Sequence, residues 1–346
     1  MNDLLAVSIV TPTFNIMRTL EEYMTAILSQ DYPHDKLEIV FADGGSKDGT
    51  LEAIEQYRNN IDIKISVYEN SLRTAEAGKA VAVKRASGDV VLLLDSDNIM
   101  PDSNWITRMM KPFEEEIIVA SEPIEYTYRK QDSVINRYCA LIGMNDPLCI
   151  FTGNYDRYCR ITGKWTEVER EEVDKGDYLS IKFRVDMIPT IGANGFLMRT
   201  KELKENFDGD YLFDIDVLWE LFQKDSNLRV AKVKTGIIHL FCPDVRTFIR
   251  KQNRRIKDFL YFSDTKGRKY PWGKISKLRI VVFTVCCITI IPLLVQAIIG
   301  YCRKPDIKAW AFHIVACWIT LWIYGWGTIG GVFGKKEAAN RDNWKQ

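Results

Sequence analysis

Residues Val90 to Pro101 read VVLLLDSDNIMP. Five aliphatic residues run without a break and then stop at Asp95 and Asp97, with Asn98 beside them. A short continuous apolar run bounded by polar residues is the pattern of a strand covered on both faces. The carboxylates at its end cannot be buried alone, because an unpaired charge is strongly disfavoured away from water. A divalent cation at the strand end balances them most economically. Oxygen ligands select Mg2+ or Mn2+, ions that keep some waters and bridge to substrate phosphates. Alone, a D-x-D pair is more often a solvated loop.

Outward from this strand, apolar and amphipathic segments alternate. LLAVSIVTPTFN reads as a strand and TLEEYMTAILSQ as a helix; LEIVFADGG and GTLEAIEQYRN repeat the pair. IKISVYEN and AGKAVAVKRAS follow, then the opening strand, the helix SNWITRMMKPFEE and the strand IIVASEPIEY. Strands this apolar, separated by helices, predict an α/β domain with a mostly parallel sheet flanked by helices. Ligands of such sheets sit outside the carboxyl ends of the strands. TPTFN, ADGGSKDGT and DSDN all fall there, so they line one edge.

Residues from about Glu125 to Thr190 break the alternation. They are rich in Tyr, Arg and Asp, and read as a substrate-facing insertion, partly helical, with KWTEVEREEVDKGD as a solvated charged stretch. Periodicity resumes with MIPTIGANGFLMR, the helix FDIDVLWELFQK and the strand LRVAKVKTGIIHLF. In DVRTFIRKQNRRIKDFLYF, Val245, Phe248, Ile249, Ile256, Phe259 and Leu260 share one side and Arg246, Arg250, Lys251, Arg254 and Lys257 surround the rest. A basic amphipathic helix of this kind lies on lipid headgroups or packs on its own domain.

The chain has 346 residues, 47% of them apolar, which allows more than one unit. A net charge of +1 gives no basis for binding nucleic acid. Its 8 cysteines are scattered without C-x-x-C spacing, which disfavours a zinc site or disulfide framework and favours a reducing, cytosolic setting. MNDLLAVSIVTP lacks the pattern of a cleaved signal peptide. No charged residue occurs in 280–302 or in 309–334. Roughly 20 apolar residues cross a bilayer, so both runs read as transmembrane helices joined by the short link YCRKPDIK. The alternative is a pair of buried core helices. KGRKYPWGKISKLR before the runs and GKKEAANRDNWKQ after them are basic, which places both flanks, and the preceding domain, in the cytosol of a multi-pass cell-membrane protein.

Individual side chains carry the chemistry. Gly44 and Gly45 permit a tight turn, Asp43 can accept hydrogen bonds from a base or ribose, and Asp48 reads as a helix N-cap. Thr11, Pro12 and Phe14 end the first strand where a nucleotide is held. Neither stretch has Walker or G-x-G-x-x-G spacing, which disfavours an ordinary ATPase or dehydrogenase. Arg73 and Lys79 are placed to meet phosphates, or are surface charges. Tyr155 and Tyr158 in GNYDRYC read as ligand-stacking aromatics or as core.

TPTFN, ADGGSKDGT, ASGDVVLLLDSDN, GANGFLMR, FDID and QNRR, in this order over roughly Val7 to Phe262, resemble a family 2 glycosyltransferase of the GT-A fold. The resemblance implies inverting transfer of a sugar from a nucleotide-sugar donor, using a D-x-D-bound Mn2+ or Mg2+. It assigns Asp43 to the nucleotide, and Asp95, Ser96 and Asp97 to the metal and donor diphosphate. GANG falls on the acceptor side, Asp214 at the catalytic base, Gln252 and Arg255 in a Gln-x-x-Arg-Trp motif, and His239 at a metal-shell histidine of some members. Three departures stand out: Phe213 replaces a glutamate, Gly44 replaces a frequent aspartate, and Ile256 replaces the tryptophan. The first leaves Asp214 and Asp216 both open as the base; the last weakens an analogy with processive synthases.

The expected organisation is a nucleotide-sugar-binding half at 1–125, an acceptor-side half at 126–243, an interfacial helix and linker at 244–277, two transmembrane helices at 278–334, and a cytosolic tail at 335–346. The expected reaction glycosylates a lipid-linked acceptor, a lipid-linked saccharide or polyprenyl phosphate, with UDP as the favoured donor nucleotide because it is common in the family. A nucleotidyltransferase or pyrophosphorylase is the alternative enzyme class, and a silent membrane scaffold of the same fold the alternative outside catalysis. Nothing in the sequence assigns an oligomeric state.

Overall fold

The computed structural model describes residues 4–184, 187–192, 194–264, 269–270 and 276–333. The tail at 335–346, and most of the basic linker used to orient the apolar runs, lie outside the described residues. In chain order the elements begin with β1 (Val7–Thr13), α1 (Met17–Leu28), β2 (Leu37–Asp43), α2 (Thr50–Asn60), β3 (Lys64–Glu69), α3 (Ala75–Arg85), β4 (Val90–Leu93) and β5 (Asn98–Ile99). Next come α4 (Trp105–Met110), β6 (Ile118–Tyr126), α5 (Val134–Ile142), α6 (Leu148–Thr152), β7 (Arg170–Asp174), β8 (Tyr178–Phe183), β9 (Phe196–Arg199) and α7 (Thr200–Glu205). The chain closes with α8 (Asp214–Lys224), β10 (Arg229–His239), α9 (Val245–Asp264), α10 (Lys277–Thr289), α11 (Ile291–Arg303) and α12 (Ile307–Phe333). These elements form two compact units, Met1–Ile124 with Glu169–Ile238, and Glu125–Val168 with His239–Gln346. The stretch 126–243, read from sequence as one acceptor-side half, therefore divides between the units.

The first unit is built on the sheet β3-β2-β1-β4-β9-β6-β10-β8-β7, with β5 beside β10. β3, β2, β1 and β4 are parallel. β9 runs antiparallel to β4 and β6, and β8 runs antiparallel to β10 and β7. The sheet is thus mixed, where the sequence predicted a mostly parallel one. The reason is local: β7 and β8 are joined by a tight turn at Gly176 (φ 88°), and a short connection can only pair strands antiparallel. The Arg170–Asp174 stretch, expected to be a solvated charged segment, is the outermost strand. Its charges suit an edge, where exposed backbone groups would otherwise recruit another chain.

The parallel half follows the apolar pattern closely. β2 and β4 are buried along their whole length, and β1 at all but one position. Helix α3 lies so close to β1 that a Cβ on Gly78 would stand 2.7 Å from Pro12 Cβ. Register aligns Thr13 with Asp43 and Asp43 with Glu69, and Leu94 N–H bonds Val10 O at 3.1 Å. The ends of these strands therefore share one rim. Beyond Leu93 the chain turns, closed by Asn98 N–H on Asp95 O at 2.8 Å, and this turn carries Asp95 and Asp97 at the rim.

The second unit is helical. Tyr138, Leu141, Ile142, Tyr155, Phe248, Ala309, Trp310 and Ala316 share its main core, so α12 packs along α5 and α9. The inward side of α9 is Phe248, Gln252 and Ile256, while Val245, Ile249 and Phe259 of the expected apolar face are exposed. Tyr155 is core, with its hydroxyl 2.6 Å from Thr162 Oγ1. The first apolar run, read from sequence as one spanning helix, is α10 and α11, bent by 90° at Ile290. Pro292 has no amide hydrogen to offer the preceding turn and its ring crowds the carbonyl of Ile288, which favours a kink or break at this point. Of the expected pair of spans, one straight helix, Ile307–Thr328 within α12, has the length and composition to cross a bilayer among the described residues.

Candidate active site

The rim begins with the turn after β2. Asp43 Oδ2 accepts from the backbone of Gly45 and Ser46, both at 2.8 Å; Oδ1 accepts from Ser46 Oγ at 2.6 Å and Thr13 Oγ1 at 3.0 Å. These four bonds use the acceptor capacity of a carboxylate, so Asp43 first of all builds the turn. Gly45 adopts φ 89°, a conformation glycine reaches without steric cost. The N-cap position is Gly49 (φ 91°), one residue after Asp48, but Asp48 Oδ1 still accepts from Thr50 N–H, the first amide of α2, at 3.2 Å, and Oδ2 accepts from Met17 N–H at 3.1 Å, tying the turn to α1.

Two exposed groups flank this turn. A Cβ on Gly44 would lie 3.4 Å from both Arg73 Cα and a Phe14 ring carbon, and both side chains are open to solvent. Phe14 and Arg73 therefore stand beside the turn as an aromatic face and a cation. Thr11 and Pro12 do not join them. Thr11 is buried with its hydroxyl on Tyr23, and Pro12 packs against Gly78.

The charges of the D-x-D turn meet a buried cation. Lys79, held inside by α3, places Nζ 3.4 Å from Asp214 Oδ2 and 3.9 Å from Asp95 Oδ1. This answers how a buried strand can end in carboxylates: part of their charge is matched from below by Lys79. Asp214 opens α8, where a carboxylate also favours the helix dipole. Burial pushes its pKa up to about 6; Lys79 opposes this and the nearby Asp95 charge adds to it. Oδ1 of Asp214 is buried without a hydrogen-bond partner among the described residues. Asp216 is also buried, two residues further into α8 and so on a different side of it, with its N–H on Phe213 O at 3.0 Å.

The GANG turn covers this cluster. Gly192 has φ 120°, and a Cβ there would stand 2.3 Å from Asp214 Cβ, so backbone and side chain are in direct contact. Ala193 lies outside the described residues. Asn194 (φ 62°) accepts from Asn98 Nδ2 at 3.2 Å, and Asn98 Nδ2 also reaches Asp97 Oδ1 at 3.4 Å. Gly192 N–H bonds Glu122 Oε1 at 3.3 Å, and Glu122 Oε2 is 2.5 Å from Lys232 Nζ. Both members of that pair are fully buried. They escaped the sequence reading, although charges interrupting two otherwise apolar strands, Glu122 in IIVASEPIEY and Lys232 in LRVAKVKTG, were the available signal.

The remaining expected residues belong to the second unit. Gln252 is fully buried and donates to Asn145 O at 2.7 Å. Arg255 Nη1 donates to the same carbonyl at 3.1 Å and to Gln252 Oε1 at 2.9 Å. Tyr324 Oη donates to Asp146 Oδ2 at 2.5 Å and lies 3.0 Å from Gln252 Oε1. Asn145, Asp146 and Tyr324 were not anticipated; Tyr324 was hidden as one hydroxyl in an apolar run. His239 stands between the rings of Tyr126 (5.3 Å) and Phe241 (5.6 Å), with Asn145 Nδ2 3.5 Å from Nδ1.

Among the described residues no group of three or more His, Cys, Asp and Glu forms a ready-made metal cage. Asp95 and Asp97 offer carboxylate oxygens, with the buried, unpartnered Oδ1 of Asn98 alongside. A site with two carboxylates fits an ion such as Mg2+ or Mn2+, which completes its shell with water and phosphate oxygens.

Comparison with known proteins agrees with this geometry. Residues 8–160 match the model of glycosyl transferase family 2. The poly(ribitol-phosphate) beta-N-acetylglucosaminyltransferase TarS of Staphylococcus aureus is 35% identical over 91 residues, 26% of this chain and 16% of TarS. The GalNAc(5)-diNAcBac-PP-undecaprenol beta-1,3-glucosyltransferase of Campylobacter jejuni is 24% identical over 226 residues, 65% of this chain and 62% of that one. The chain thus spans less than two thirds of either relative. Among solved structures, the mannosyltransferase PcManGT of Pyrobaculum calidifontis, in complex with GDP-Man and Mn2+, superposes with a TM-score of 0.53 at 15% identity, over 96% of this chain and 89% of that one. The fold is a GT-A-like mixed sheet flanked by helices.

Proposed function

We propose that this chain, whose residues 8–160 match the glycosyl transferase family 2 model, is a glycosyltransferase that moves a sugar with inversion from a nucleotide-sugar donor to a lipid-linked acceptor at the cytosolic membrane face. The observation that carries the reading is the cluster of Lys79, Asp95 and Asp214 at the rim of the parallel strands. It joins the D-x-D turn to a carboxylate tuned by burial, the combination that sugar transfer to a hydroxyl needs.

In this reading the Phe14 ring and the Arg73 guanidinium receive the base and a phosphate of the donor beside the Asp43 turn. Asp95 and Asp97 would hold Mg2+ or Mn2+, which when bound would neutralise charge on the departing diphosphate. Asp214 takes the proton of the acceptor hydroxyl. A carboxylate near pKa 6 is ionised at neutral pH yet basic enough to accept a proton as the hydroxyl attacks. Lys79 keeps that carboxylate ionised and oriented. Asp214 is favoured over Asp216 because it faces Lys79 and the D-x-D turn. His239 keeps a packing role, and Gln252 and Arg255 hold the backbone at Asn145. A polyprenyl-phosphate acceptor is already ionised and would make Asp214 dispensable; a saccharide hydroxyl would not.

The lipid-linked acceptor is supported by the Campylobacter relative, whose name specifies a polyprenyl-linked saccharide, and by the apolar helices of the second unit. UDP remains the favoured nucleotide. The test is to incubate membranes carrying the chain with radiolabelled nucleotide sugars and Mn2+ or Mg2+, then extract lipids. Label should reach the lipid fraction only with the divalent ion, and Asp97→Asn should abolish it with an unchanged melting temperature. Undiminished transfer by that variant removes the metal assignment.

A further inference from the structure

The bent pair α10–α11 has two feet and one tip. At the first foot, Arg279 Nη1 donates to Thr152 O at 2.6 Å; at the second, Arg303 Nη1 donates to the carbonyls of Arg160 and Ile161, both at 2.9 Å. Each arginine lies over a left-handed glycine. A Cβ on Gly153 would stand 2.5 Å from Arg279 Nη1, and one on Gly163 would stand 2.9 Å from Arg303 Nη1. Both feet therefore rest on the segment 125–168. The tip is apolar and bare: Ile288 is 64% and Ile291 69% exposed.

Helix α12 is held to the same segment near both ends. Before its first turn, Asp306 accepts from Arg137 Nε at 2.6 Å and from Tyr128 Oη at 3.0 Å. Five turns later Tyr324 bonds Asp146. The helices of segment 125–168, α5 and α6, have 9 and 5 residues. At about 1.5 Å per residue they reach about 14 Å and about 8 Å. Neither can cross roughly 30 Å of hydrocarbon, and burying Arg137, Asp146 and Asp306 there would be strongly disfavoured. Whatever touches this segment stays on its side of the bilayer.

We infer that the chain enters one leaflet only, as a wedge whose tip is Ile288–Ile291 and whose feet and link stay on the catalytic side. The inference rests on the membrane reading above and replaces the expected spanning hairpin. Each leg is 13 residues, about 20 Å. α12 runs antiparallel along the second leg, with the Trp310 ring against Gly300, His313 Nε2 2.9 Å from Gln296 Oε1, and Cys317 in one buried cluster with Cys287 and Leu293, so helix and leg share one depth and the exposed tip enters the near leaflet only. Trp310 and Phe312 of α12 turn into the unit, while Trp322 and Trp326 turn out, as suits aromatic rings at the headgroup level. Residues 277–328 carry Lys277, Arg279, Arg303, Lys304 and Lys308 against Asp306 alone, which complements anionic lipid headgroups.

The exposed Cys302 beside the second foot gives a direct test. Sealed right-side-out and inside-out vesicles from cells expressing the chain are treated with a membrane-impermeant maleimide. The labelling side of Cys302 is compared with that of Glu52→Cys on the exposed face of α2, and Cys302→Ser sets the background. Cys302 should label from the same side as the α2 reference. Labelling from the opposite side, or only after detergent, overturns the one-leaflet wedge while leaving membrane association intact. Flotation of the purified chain on phosphatidylethanolamine and phosphatidylglycerol vesicles separates the two ideas. The chain should float, and Ile288→Glu with Ile291→Glu should abolish it. Flotation unaffected by that variant sinks the wedge, and a wild-type chain that stays at the bottom sinks the membrane reading itself.

Discussion

Replacing Lys79 by Met is the perturbation that separates a tuned base from a buried structural pair. Asp214 has a pKa of about 6, raised by burial and held down by Lys79 at 3.4 Å. Coulomb attraction at that distance is about 5 kcal/mol for an effective dielectric constant of 20, an upper bound before relaxation. Opposite charges this close typically shift a carboxyl by about 1–3 units. Removing Lys79 should therefore move the acidic limb of kcat/KM from near pH 6 to roughly pH 7–9. For a limb near pH 8, the ionised fraction at pH 7 falls to roughly a tenth, and so does the rate; activity returns at pH 9. The assay is transfer of labelled sugar across pH 5–10 with saturating Mn2+. An unmoved limb refutes Asp214 as the base that Lys79 tunes, and a loss that no pH restores assigns Lys79 to the fold alone. The stability sign is opposite to that of a salt-bridged surface carboxylate. Between the ordinary carboxylate range and pH 6, folded Asp214 keeps a proton that the unfolded chain has released. Its contribution to folding therefore falls as pH rises through that window, and is constant above it.

Gly192→Ala forces a methyl against Asp214 Cβ in a left-handed backbone; a loss of about 2–4 kcal/mol by urea unfolding is expected, with kcat reduced more than KM. Glu122→Gln leaves Lys232 buried with a weaker partner and should cost about 3–5 kcal/mol, whereas Glu122→Leu with Lys232→Met should unfold at nearly the wild-type urea midpoint. If the double variant is as unstable as the single one, the pair does more than balance its own charge. Tyr324→Phe leaves Asp146 and Gln252 short of one donor and should lower stability by about 1–3 kcal/mol, read as a lower melting temperature with donor affinity unchanged.

The parallel half was legible because each strand there is apolar end to end and each following loop polar, so the rim residues fall at predictable positions. Asp95, Asp97 and Asp214 could be named from pattern and resemblance; their joint balance by Lys79 could not, because 16 residues separate Lys79 from Asp95 and 135 from Asp214 and only the sheet brings them together. The antiparallel half was missed for the opposite reason: β9 has 4 residues and β7 carries the charges of an edge, so neither shows an apolar period. Gln252 misled by its company. It sits among arginines on a basic helix, yet its i±4 neighbours Phe248 and Ile256 set the buried side, and helical spacing carried Gln252 inward with them. The broken span had a readable mark in Pro292, which composition-based counting of apolar residues passes over.

The charge pattern of the rim bears on why such a site needs a cation at all. Asp95, Asp97 and Asp214 supply three carboxylates against Lys79, and Asp43 has spent its oxygens on the turn it builds. A nucleoside diphosphate would bring further negative charge to the same edge, where Arg73 beside the Asp43 turn and Lys47 within it are exposed cations. Protonating Asp214 would relieve part of the repulsion, but only below about pH 6 and at the expense of the base. On the proposed reading, the rim would attract a divalent ion at neutral pH before it attracts a donor, and such an ion would reverse the local field that otherwise repels phosphate. Donor affinity should therefore rise with divalent concentration and fall with monovalent salt, the two dependences having a common origin in those carboxylates.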